Sequence, residues 1–116
     1  LYELSLFAWR KLMKSLILGI ACCCFFTIYN KTLAGDIKAG EARYAQNCGN
    51  CHGPAGMGLA SYPKLKGKEV SYLKDKLETY RAGTKIGPNS DLMIMMAMPL
   101  SDVEIANLAA YLNAQK

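Results

Sequence analysis

Cys48-Gly49-Asn50-Cys51-His52 constrains this chain more than any other stretch, because a C-x-x-C-H run is the pattern by which a c-type haem is covalently attached. Two thiols three positions apart lie on one side of a helical turn, where both can add to the two vinyl groups on one edge of a porphyrin. The adjacent His52 is then delivered to the iron as its fifth ligand. His52 is the sole histidine of the 116 residues. A bis-histidine haem is therefore excluded within one subunit, and so is a distal histidine of the kind a peroxide-reducing iron would use.

Three other readings compete for the same five residues. A structural zinc site wants four ligands, commonly as two separated pairs, and the remaining cysteines, Cys22, Cys23 and Cys24, sit together in an apolar run. A thioredoxin-type pair wants a preceding strand in a βαβ pattern, and nothing before Cys48 alternates as a strand does. A disulfide between Cys48 and Cys51 is geometrically tight and leaves His52 unexplained. Haem attachment accounts for all three side chains at once.

The first third of the chain reads as a leader rather than as part of a folded domain. Arg10, Lys11 and Lys14 precede the apolar run 15–29, which is shorter than the ~20 residues a membrane-spanning helix needs. Thr32-Leu33-Ala34 then offers a small-residue cleavage site before Gly35, completing the plan of a secretory signal peptide. Residues 1–34 are thus expected to be an N-terminal extension and signal peptide starting at Met13, and residues 35–116 the functional domain. An uncleaved signal anchor is the main rival. A lipoprotein site is weaker, because Gly19-Ile20-Ala21 before Cys22 does not fit the usual lipobox. Export agrees with the motif, since c-type haem is attached on the far side of the energy-transducing membrane in bacteria; the expected compartment is the periplasm.

The net charge of +5 is partly the leader's. From Gly35 onward, ten Lys or Arg face eight Asp or Glu, about +2, so basicity gives no argument for nucleic acid. Lys64, Lys66, Lys68, Lys74, Lys76 and Lys85 concentrate basic residues mid-chain. This reads first as a solvated face, although a docking patch for an acidic redox partner would look the same. About 82 residues is close to the size at which an apolar core alone leaves little net stability. A buried porphyrin would supply the missing core.

Local signals outline an all-α domain. Asp36 can cap a helix through about Asn47, with Ile37, Tyr44 and Cys48 at roughly helical spacing. Gly53-Pro54-Ala55-Gly56-Met57-Gly58 reads as a loop hugging something flat. Val70, Leu73, Leu77 and Tyr80 repeat as an amphipathic stripe, with Gly83 following as a stop. Ser101 and Glu104 form a capping box opening a last helix whose apolar face is Ile105, Leu108, Ala109 and Leu112, ending near Ala114.

With no second histidine, the sixth position of the iron falls to methionine, lysine, tyrosine, water or a partner's ligand. Met93, Met95, Met96 and Met98 crowd the stretch before Pro99. A chain that wraps a porphyrin could return to its opposite face there. Only one can bind iron, so the others are expected to fill core gaps, as flexible thioethers do. Met/His ligation leaves a saturated iron, suited to moving electrons rather than to chemistry on a substrate.

With these residues in place, the chain resembles a class I c-type cytochrome, most similar to the small monohaem group related to cytochromes c4 and c553. The resemblance covers residues 36–115. Cys48-Gly49-Asn50-Cys51-His52-Gly53 is similar to the family's haem-binding start, Tyr62-Pro63-Lys64-Leu65-Lys66-Gly67 to its P-x-L-x-G loop, and residues 100–112 to its closing helix. The resemblance implies the class I fold, a few short helices wrapped around one covalent haem c. It implies that the Pro63 carbonyl accepts the hydrogen bond of the ligand histidine, that Tyr111 packs on Gly40, and that the axial methionine lies seven residues before Leu100, at Met93. The methionine crowding is a departure: Met98-Pro99 imitates the ligand pair of other small cytochromes, and Met95 or Met96 would serve if the register slips.

The function implied is an exported one-electron carrier, not an enzyme. A membrane quinol-oxidising complex or a dehydrogenase would be its donor and a terminal oxidase or reductase its acceptor. The alternative is a haem subunit of a larger membrane-associated oxidoreductase.

Overall fold

The computed structural model describes residues 34–116; the expected leader, through residue 33, lies outside them. Five α-helices follow one another: α1 (Ile37–Asn47), α2 (Gly49–His52), α3 (Val70–Arg81), α4 (Ser90–Ala97) and α5 (Asp102–Ala114), with one 3-10 turn, Pro54–Gly56, after α2. No helix among the described residues is long and apolar enough to cross a membrane. The fold is all-α, as expected.

Helix α1 begins where its cap places it: the Asp36 carboxylate accepts the Ala39 N–H at 3.0 Å, satisfying one of the free donors of the first turn. Helix α5 begins on the expected capping box. Ser101 Oγ accepts from the Glu104 N–H at 3.2 Å, and Glu104 Oε2 accepts from the Ser101 N–H at 2.9 Å. The Ser101 N–H and the Ser101 hydroxyl both donate to Glu104 Oε2 and, with the Arg43 guanidinium behind them, hold the Glu104 carboxyl below its usual range. Helix α3 stops at a Schellman turn, in which the Gly83 N–H reaches Tyr80 O and the Thr84 N–H reaches Thr79 O.

Helix α5 is the spine, with α1 and α3 both packed against it and α4 packed on α3. Ile105, Leu108, Ala109 and Leu112, the face read from the sequence, are all buried and meet Tyr44, Leu73, Leu100 and Tyr111 in one core. The approach of α1 to α5 depends on Gly40. A Cβ there would fall on the Asn107 carbonyl and 2.8 Å from Tyr111 Cβ, so the contact expected between Gly40 and Tyr111 is made. Beside it, the Arg43 Nε–H donates to Glu104 Oε1 at 2.9 Å.

One expectation is corrected. The stripe of α3 reads as core, but Val70, at its first position, is 38% exposed and lies outside the core that Leu73 enters. On α1, Gly40 and Tyr44 form the buried face, and Ile37, at the first position, is exposed. Segment 53–58 is the expected loop, with one 3-10 turn, Pro54–Gly56, whose middle residue Ala55 has φ 51°.

Candidate haem-binding site

The two cysteines stand on one helical turn because α1 runs almost unbroken into α2. Cys48 closes α1 and opens α2 with helical dihedrals, and both the Cys51 and His52 N–H groups donate to Cys48 O, at 3.3 and 3.0 Å. Both thiols are free and half-buried. Burial pushes the Cys48 thiol up, and the Arg43 guanidinium opposes that shift. Neither the disulfide nor the zinc reading finds support: among the described residues no three His, Cys, Asp or Glu side chains gather into a metal site.

His52 is 6% exposed, and its ring is set from one side. Nδ1 lies 3.0 Å from the Pro63 carbonyl. A carbonyl only accepts, so Nδ1 carries the proton of the neutral ring and Nε2 keeps its lone pair. Nε2 is buried without a hydrogen-bond partner, an arrangement that costs free energy unless something binds it. A buried, unprotonated, unpartnered imidazole nitrogen next to two thiols on one turn fits an iron porphyrin. The Tyr62 ring stands edge-on to the imidazole with centroids 6.0 Å apart, fixing the other side of its orientation.

The loop after His52 is tied down at several points. Gly58 N–H donates to His52 O at 2.7 Å, Leu65 and Lys66 N–H share the Gly56 carbonyl, and Gly67 N–H donates to Leu112 O at 2.8 Å. Gly56 has φ 73°, and a Cβ there would meet Leu112 Cδ2 at 2.6 Å, so the turn can lie against α5 only without a side chain. These bonds carry Pro63 to His52.

Met93, Met95 and Met96 sit on α4 and Met98 caps it; periodicity in the sequence did not reveal this apolar helix. Met93 is half-buried, whereas Met95, Met96 and Met98 are 64%, 37% and 60% exposed. The expectation that the remaining methionines fill the core is therefore corrected. Ala97 and Leu100 turn inward at this end of the molecule, and their small and branched side chains take up the space.

Two anchors of the site were missed in the sequence. Tyr44 Oη donates to the buried Gly53 carbonyl at 2.7 Å, closing the C-terminal end of α2. The spacing of Tyr44 from Cys48, one helical turn, was the available signal. The Ser90 hydroxyl, buried at the first position of α4, accepts from the N–H groups of Ile86 and Gly87 at 2.8 and 2.7 Å, a turn that local sequence does not announce.

Fold and site together define a domain built to hold one covalently attached haem. The cytochrome c family model matches residues 37–116. Cytochrome c-554(548) of Halomonas halodenitrificans is 45% identical over 84 residues, covering 72% of this chain and all of that protein. The thiosulfate dehydrogenase electron acceptor of Stutzerimonas stutzeri is 43% identical over 76 residues, 65% of this chain and 35% of that protein. Among solved structures, reduced recombinant cytochrome c4 from Pseudomonas stutzeri superposes with a TM-score of 0.62 at 28% identity, over 75% of this chain and 50% of that one. The chain belongs to the cytochrome c family, as a class I cytochrome of the c4 type that carries covalent haem c on Cys48 and Cys51.

Proposed function

We propose that this electron-carrying cytochrome works as an exported one-electron shuttle in which His52 and Met93 would hold the haem iron. The observation that carries the ligand set is His52 itself, with Nδ1 engaged by Pro63 and Nε2 buried and unpartnered. Met93 is favoured because it alone of the four methionines on and beside α4 is not exposed. The haem supplies reversible exchange of one electron between Fe(II) and Fe(III), with no bond made or broken in a substrate.

The chain's own residues orient and exclude. The Pro63 carbonyl and the Tyr62 ring hold the imidazole in one orientation, which makes Nε2 a better donor and keeps movement on electron transfer small. Tyr44, Leu73 and Leu112 close the apolar side against water. Export rests on the leader pattern of residues 13–34 and on where c-type haem is attached. The donor would be a membrane quinol-oxidising complex or a dehydrogenase, and the acceptor a terminal oxidase or reductase. The name of the Stutzerimonas relative describes it as accepting electrons from a dehydrogenase, which supports a donor of that class.

A second reading is a haem subunit of a larger membrane-associated oxidoreductase; the matched region is 35% of the Stutzerimonas protein and 50% of the cytochrome c4 chain, so a domain of this kind also occurs within longer chains. Redox titration of the haem-loaded protein, with and without carbon monoxide, tests the carrier reading. One reversible single-electron wave and a reduced spectrum that carbon monoxide leaves unchanged are expected. A spectrum shifted by carbon monoxide would mean an open iron and contradict it. The intact mass of the exported protein separates the second reading, which expects the leader retained.

A further inference from the structure

Helix α4 buries only Ser90 and Ala97 among its eight residues, so the helix that carries the methionines is held mainly at its ends. At the front, the Ser90 hydroxyl gathers two backbone N–H groups, and Lys85 pairs with Asp91 at 2.8 Å on the exposed surface. At the back, the chain must turn through Met98, Pro99, Leu100 and Ser101 before α5 begins, and Pro99 offers no N–H to brace that turn. The brace comes from α3. Arg81, its last residue, donates from Nη1 to the Leu100 carbonyl at 3.0 Å and pairs through Nη2 with Asp102 Oδ1 at 2.7 Å.

We infer that Arg81 is a positioning residue for the axial methionine: by gripping the turn behind α4 at Leu100 and Asp102, it sets how readily the methionine leaves the iron. The inference rests on the proposal that a methionine of α4 is the sixth ligand. The fork of one guanidinium gives the carbonyl and the carboxylate a separate nitrogen each, Nη1 and Nη2, in a fixed plane, where an ammonium is a single point charge. The two contacts differ in weight. The Asp102 side chain is 73% exposed, so that ion pair contributes little. The Leu100 bond is part-buried, and Leu100 itself is 6% exposed; losing Arg81 leaves that charge-assisted bond unmade. Opening of the turn then frees α4 to move off without unfolding α3 or α5, a local opening of low cost compared with global unfolding.

The test is displacement of the methionine by imidazole from the oxidised, haem-loaded protein. It is followed through loss of the methionine-to-iron charge-transfer band in the near infrared. Arg81→Met, which keeps the apolar stem and removes both contacts, should raise the limiting displacement rate about tenfold or more. Arg81→Lys should fall between the two. Asp102→Asn, which keeps the Leu100 bond, should stay within about twofold of the unmodified protein. Because a generally weakened fold would also exchange faster, thermal unfolding is measured alongside. A rate rise in Arg81→Met matched by an equal rise in a variant of similar melting temperature altered in α1, such as Ala39→Gly, would overturn the inference. So would an unchanged displacement rate. A band missing from the unmodified protein would sink the methionine reading and this inference with it, whereas a band present with an unchanged Arg81→Met rate would sink this inference alone.

Discussion

The state of the His52 ring follows from one contact. Because Pro63 can offer only a carbonyl, the ring is held as the tautomer whose Nε2 is free to donate. The motif identified the histidine and the family resemblance supplied its proline partner, so both were legible before any coordinates. Tyr44 was visible only as one member of an apolar stripe. The bond from its hydroxyl to Gly53 exists because α2 breaks off at His52 and the next carbonyl is turned inward, a tertiary fact that no local pattern encodes. Tyr44→Phe leaves that buried carbonyl with only the longer bond from the Gly56 N–H, at 3.3 Å, and should cost about 0.5–1.5 kcal/mol in denaturant unfolding. The same side chain gives a pH signature. Burial pushes the Tyr44 phenol from 10.0 up to about 12, so the folded state favours the neutral form. Its contribution is complete below pH 10 and is lost as pH rises through 12. Unfolding free energies of the two proteins measured between pH 9 and 12 should therefore converge toward the alkaline end. A constant gap would contradict the assignment.

Helices α1, α3 and α5 were readable because each has a local start or stop: the Asp36 cap, the Gly83 turn, the Ser101–Glu104 box. Helix α4 was not, since Leu92-Met93-Ile94-Met95-Met96-Ala97-Met98 is apolar on every face and gives no period to read. Its boundaries are fixed by Ser90 and by Arg81, the latter nineteen residues from the carbonyl it binds. The first position of α3 was overread as core for a related reason: periodicity says which residues share a face, not where along the helix the neighbour begins. The α1–α5 crossing makes the sharpest prediction at this scale. Gly40→Ala puts a methyl group into the Asn107 carbonyl, and overpacking of that kind costs about 1–3 kcal/mol or more. For a domain of this size, the melting temperature should fall by about 5 °C or more. An unchanged melting temperature would show that the two helices can separate at no cost.

At the level of the whole molecule, the all-α fold, the covalent haem and the family were legible because one motif carries so much chemistry and because helix caps are local. The placement of the methionines was not, since four of them within six positions offer four registers that differ only in which side of α4 faces inward. Burial separates Met93 from the other three, and the loop through Pro63 holds His52 ready on the cysteine side. On the proposed ligand set, an iron held between those two residues would be saturated and suited to carrying single electrons. The measurement that bears on it most directly is visible and near-infrared absorption of the haem-loaded protein, oxidised and reduced, beside Met93→Ala. Sharp reduced c-haem bands and a weak methionine-to-iron band that vanishes in the variant are expected. A band that survives in Met93→Ala would move the ligand to Met95, Met96 or Met98, and a high-spin spectrum in the unmodified protein would contradict the carrier account itself.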